Sequence, residues 1–152
     1  MQEIVPLISS SVAGPLGIAH LPRLWLKILL YACGALPEGY RHGHGGFDER
    51  LCTDLGIERD ALIAYVEREK PDYPAVERWI SARATDLSPA TIAAFNAHVR
   101  SADMSGAMAA ERRARFAIDD ENFANAVALN DLDDWAAAFE RITAAAGPSA
   151  PT

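Results

Sequence analysis

The segment Glu38-Gly39-Tyr40-Arg41-His42-Gly43-His44-Gly45-Gly46-Phe47-Asp48 gathers the side chains most able to do chemistry. It sets two histidines, a tyrosine, an arginine and two carboxylates on a backbone broken by four glycines. Imidazole titrates close to neutrality and moves protons, and a tyrosine hydroxyl can position or stabilise a substrate oxygen. Tyr40 and His42 are therefore candidate catalytic residues, with Glu38 and Asp48 as candidate substrate contacts. Each has a plain alternative: an exposed loop histidine, a tyrosine that anchors its loop, and an aspartate that caps a short helix over 49–55.

A second group lies upstream. Arg23, Lys27 and Tyr31 recur every four residues, so they share one face of an otherwise apolar helix. A buried cation needs water, a carboxylate or a ligand. One reading is a binding site for an anionic substrate group, helped by free N–H groups at the helix start beside Arg23. The other is structural pairing of Arg23 with Asp48, Glu38 or the aspartates at 131–134. His20 precedes this helix and suits general acid or base work, or a simple hydrogen bond to a backbone carbonyl. Asn96 on a later helix and Asp131 in the polar run Asn130–Asp134 complete the candidate substrate contacts, although capping explains part of that run.

His42-x-His44 supplies two metal ligands, and a third would have to come from His20, Glu38 or Asp48. No third-ligand motif accompanies the pair, so no metal is assigned. No phosphate-binding glycine loop and no Gly-x-Ser-x-Gly elbow occurs, and no organic cofactor is expected. Cys33 and Cys52 read as core thiols.

These groups must be positioned by helices. Alanine-rich segments with apolar spacing of three to four residues dominate, so the expected class is all-α: one domain over 1–146 of six to seven helices around a buried first helix, and a disordered tail over 147–152. Pro22 opens the first helix, which runs to about Cys33. Further helices are expected at 49–55, 58–70, around Val76–Ile80, from Ser88-Pro89 with the core stripe Ile92, Phe95 and Val99, over 107–117, and from Asp131. The last should carry three aspartates in its first turn and bury Leu132, Trp135, Phe139 and Ile142.

Half of the 152 residues are apolar and the net charge is −7. That balance suits a folded domain and argues against a nucleic-acid partner. No membrane span and no secretory signal is expected, which places the chain in the cytoplasm. A small-molecule ligand is the expected partner, with a homodimer on base rates.

The blocks Gly17-Ile18-Ala19-His20-Leu21-Pro22-Arg23, Leu36-Pro37-Glu38-Gly39-Tyr40-Arg41, Gly46-Phe47-Asp48 and Leu55-Gly56-Ile57 resemble a bacterial domain-of-unknown-function family, number five thousand and sixty-nine in its series. The late block Leu129–Trp135 extends the likeness over about residues 14 to 142, and His20-Leu21-Pro22-Arg23-Leu24 is its most specific piece. The resemblance implies a small, soluble, mostly helical protein and supplies no reaction. His42-Gly43-His44 departs from the flanking pattern and reads as a specialisation of this member.

Three functions follow as expectations. The first is a small cofactor-independent enzyme that acts on an anionic organic substrate by acid/base hydrolysis, elimination or isomerisation. The second is a non-catalytic ligand- or partner-binding module, and the third a metal-dependent enzyme using His42 and His44. An enzyme calls for a cavity with convergent polar groups, and a partner-binding module for an exposed apolar patch.

Overall fold

The computed structural model describes residues 2–148, and within them the chain is all-α. Seven helices follow in order: α1 (Leu21–Ala32), α2 (Gly46–Leu55), α3 (Arg59–Glu69), α4 (Tyr73–Arg83), α5 (Pro89–Ser101), α6 (Gly106–Arg115) and α7 (Ala126–Ala146). Part of the expected tail, 149–152, lies outside the described residues. No helix among the described residues is long and apolar enough to cross a membrane.

The first helix is central, as its apolar circumference requires. Leu21, Leu24 and Ile28 are buried in a core with Leu51 and Leu55 of α2, Leu62 and Val66 of α3, Val76 and Ile80 of α4, and Phe95 and Val99 of α5. α3 and α4 pack against α1, while α5 touches both α2 and α7. Side-chain caps start α3, α4 and α5: Glu58 accepts from Ala61 N–H, Asp72 from Ala75 N–H and Ser88 from Thr91 N–H. Gly56 ends α2 with φ 64°, in the left-handed region, where Thr85 crowds the space a Cβ would occupy.

Two expected helix starts move, for one reason: the capping residue is another one. α2 begins at Gly46 after Gly45, so Asp48 lies inside the first turn and its carboxylate is free for other partners. α7 begins at Ala126, where Asn125 accepts from Ala128 N–H at 3.0 Å. Asp131, Asp133 and Asp134 therefore stand beyond the first turn, and their carboxylates reach other elements instead of the helix dipole.

The outer face of α7 corrects a third expectation. Trp135, Phe139 and Ile142 are 59%, 66% and 68% exposed, and Leu132 is only partly buried. Amphipathic spacing gives a helix an apolar face without saying what covers it. The α7 side chains that are buried are Ala126, Val127, Leu129 and Asp134.

Residues 2–19 are irregular and form a strap. Ile4 N–H donates to Ala35 O, Arg141 reaches Glu3 at 2.7 Å, and Ser9 Oγ donates to Asp131 at 3.0 Å. The strap thus runs along α7 before turning back into α1.

Candidate active site

The turn from the strap into α1 is strained. His20 is the residue before α1, and its φ of 71° lies in the left-handed region. For a non-glycine residue this conformation costs roughly 1–2 kcal/mol. Neighbouring groups hold it. Asn96 accepts from Ala19 N–H at 2.8 Å and donates to Gly17 O at 2.7 Å, and His20 N–H donates to Val12 O. The side chain of His20 makes no helix cap and points instead at two polar partners.

Those partners are Ser10 and Asp48. His20 Nδ1 lies 2.9 Å from Ser10 Oγ, and His20 Nε2 lies 2.6 Å from Asp48 Oδ1. All three residues are 2% exposed. Asp48 also accepts from both sides of its carboxylate: Lys27 Nζ stands 2.7 and 2.8 Å from its two oxygens, and Gly43 N–H donates to Oδ2 at 2.9 Å. Gly43 has φ 124°, and a Cβ there would strike Ile63, so the close approach requires glycine.

The charges explain the protonation. Burial alone would raise the Asp48 carboxyl, but the His20 hydrogen bond and the Lys27 charge together outweigh it and hold the group at about 2. Asp48 is therefore ionised and its charge is matched by Lys27. Burial pushes the imidazole of His20 below its ordinary value, against the pull of Asp48. Neutral His20 then carries its proton on Nε2, facing the carboxylate, and leaves Nδ1 with a lone pair toward the Ser10 hydroxyl.

Beside this triad lies a second ion pair. Arg23 Nη1 is 2.6 Å from Asp134 and also donates to the carbonyls of Pro6 and Ile8. Of the two readings of Arg23, pairing with an aspartate of the 131–134 run is what the geometry displays. The guanidinium ties the strap to α1 and α7. Tyr40 donates its hydroxyl proton to Asp134 at 2.8 Å, and burial with that bond raises its pKa. Its one proton is thus committed to a carboxylate.

Both networks open on a cleft of about 980 Å³. His20, Arg23, Lys27, Glu38, Tyr40 and Asp48 all line it, so six of the sequence candidates converge. Four do not. His42 stacks on Tyr31 with ring centroids 3.7 Å apart, away from the cleft. Asn96 acts from behind by pinning the turn at Gly17–Ala19, and Asp131 binds the strap through Ser9. His44 is exposed, and no three His, Cys, Asp or Glu side chains among the described residues group as a metal site requires.

Ser10 is the residue the sequence did not reveal. It sits in the run Ser9-Ser10-Ser11, without a motif to separate it from its neighbours. Arg41 is a second addition: it lines the cleft, is exposed, and forms no ion pair among the described residues. A smaller, more apolar hollow of about 550 Å³ lies between α4 and Pro15-Leu16. Its carboxylate, Glu77, is already taken by Leu16 N–H, and no comparable polar set converges there.

The model of the family described as Domain of unknown function (DUF5069) matches residues 7–140. The chain belongs to this family. The match spans most of the strap, the cleft residues and most of α7, so Ser10, His20, Arg23, Asp48 and Asp134 all fall within the DUF5069 region. No curated protein matches the chain.

Proposed function

We propose that the cleft is the active site of a small hydrolytic enzyme acting on an anionic organic substrate, with His20 as general base. One observation carries the reading: an imidazole nitrogen lies 2.9 Å from a cleft-lining hydroxyl, while its other nitrogen rests 2.6 Å from a buried aspartate. That is the order of groups a serine nucleophile needs.

The chemistry runs in two halves. Ser10 Oγ attacks the substrate acyl carbon as its proton passes to His20 Nδ1. The imidazolium that forms is stabilised by Asp48, and the same proton then goes to the departing oxygen. In the second half a water attacks the acyl group, gives its proton to His20, and Ser10 recovers its own. Lys27 and Gly43 N–H keep Asp48 ionised and in place. The left-handed backbone at His20 supports this reading too, since such strain concentrates at functional sites.

An anionic substrate is favoured by charge. Six Arg and Lys side chains against five Asp and Glu line the cleft of a chain whose net charge is −7. Arg23 and Lys27 are occupied by Asp134 and Asp48, so the anion falls to Arg41 at the mouth. Hydrolysis ranks above elimination and isomerisation because the base faces a protein hydroxyl.

The non-catalytic module draws on a different observation, namely that His20, Lys27 and Asp48 already satisfy one another inside the protein. A fluorophosphonate reagent and a panel of carboxylate-bearing nitrophenyl esters separate the two. The enzyme reading expects covalent labelling at Ser10 by intact mass, and ester turnover that falls about 10²-fold or more in Ser10→Ala and His20→Asn. Wild-type protein that is neither labelled nor active, yet still binds a carboxylate ligand in the cleft, returns the site to the binding module.

A further inference from the structure

The exposed face of α7 has the form of a helix-pairing seam. Leu132, Trp135, Phe139 and Ile142 follow one another at intervals of three, four and three, the spacing with which two helices interlock side chains. The positions flanking the seam hold Asp131, which is tied to Ser9 of the strap, and the small neutral Ala136, Ala138, Thr143 and Ala145, so the backbones can approach closely. The strap extends the patch. Leu7 and Ile4 are 57% and 49% exposed on the segment that Ser9 and Glu3 fasten alongside Asp131 and Arg141 of the same helix.

The geometry points to a second copy of this chain as the occupant, packed across a two-fold axis with the two α7 helices antiparallel. The seam is complementary to itself in that arrangement. An axis near Phe139 sets the two Phe139 rings side by side and places the Trp135 indole of each copy opposite the smaller Ile142 of the other. A symmetric pair needs one patch only, used twice. Its area is of the right order: large aromatic side chains bury about 150–250 Å² each, so the exposed Ile4, Leu7, Trp135, Phe139 and Ile142 offer on the order of 500 Å² per copy, most of the ~800 Å² that a stable interface uses on each side. Charge gives a partner little to hold at the rim: Asp131, Asp133 and Asp134 are bound to Ser9, Arg112 and Arg115, and Arg23, which leaves Glu140 as the exposed α7 carboxylate beside Phe139.

The cleft is untouched by this pairing. Asn130, Asp133 and Ala137 line it from the opposite side of α7, so the dimer and the proposed chemistry stand or fall separately.

Sedimentation velocity of the full chain across about 1–100 µM tests the proposal. The expected species has twice the 16.4 kDa chain mass and persists in high salt, because its contact is apolar. Phe139→Glu and, independently, Ile142→Lys should each give monomers with unchanged far-ultraviolet circular dichroism. A wild type that stays monomeric throughout the range overturns the proposal. So does a Phe139→Glu protein that remains dimeric, or a monomeric wild type that binds lipid vesicles through this face.

Discussion

Asp48 is the residue on which the candidate site turns. It serves His20, Lys27 and the Gly43 N–H at once, and it does so from inside a helix turn where it was expected to be a cap. Removing a partner from a buried ion pair costs about 3–5 kcal/mol, because the charge left behind has no water to return to. Asp48→Asn and Lys27→Met should each destabilise by roughly that amount in urea unfolding. The double variant should cost clearly less than the two combined, with a coupling of about 1–3 kcal/mol. Additive costs would mean that the pair does not interact as drawn. The sequence exposed part of this residue-level picture. A charge stripe on an apolar helix demands carboxylates, and Asp48, Glu38 and the 131–134 run are the ones the sequence offers. Ser10 stayed hidden because a serine in an irregular segment carries no periodicity, and only the folded strap brings it beneath His20. His42 stood out by composition, but the loop turns it onto Tyr31.

At the scale of elements, the strap-to-α1 turn is the part that residue types do not disclose. Pro22 and the apolar run after it mark the helix, yet nothing in His20 announces φ of 71°. Asn96, seventy-seven residues away from Ala19, holds that turn, and a contact at such separation leaves no local pattern. The strain itself is measurable. His20→Gly and His20→Ala both remove the imidazole, but glycine accepts the left-handed backbone and alanine does not. Unfolding midpoints should therefore place His20→Gly above His20→Ala by about 1 kcal/mol. Glycine is favoured over alanine at helix N-caps in any case, so an inverted order, with alanine above glycine, would remove strain from the account of this site. Helix α7 makes the complementary point. Its spacing identified an apolar face correctly and could not identify its cover, since the same stripe serves a core or a partner.

For the whole molecule, the buried network makes stability depend on pH in a direction that its shifts dictate. Folded His20 lies below its ordinary 6.5, so as the pH falls through that value the unfolded chain takes up a proton that the folded chain refuses. Stability contributed by a neutral His20 is complete above about pH 6.5 and declines on the acid side. Asp48 adds a second decline with the same sign. Its folded value of about 2 lies under the ordinary 3.8, so the unfolded carboxylate protonates first and about 2 kcal/mol is lost as the pH falls from 3.8 through 2. Urea midpoints measured from about pH 7 to 2 should fall in two stages, the first assigned to the histidine and the second to the aspartate. His20→Asn should flatten the first stage, and it should also shrink the second, because the His20 hydrogen bond is among the forces holding Asp48 low. The ester hydrolysis proposed for the cleft would share the first stage with a different readout. A base with a lowered pKa keeps its activity to more acid pH than a free imidazole, so the acid limb of kcat/KM should have its midpoint under 6.5. An acid limb at or above 6.5, together with urea midpoints that do not change between pH 7 and 5, would mean that the imidazole meets water, and the dry neutral base at the centre of the site would have to be abandoned.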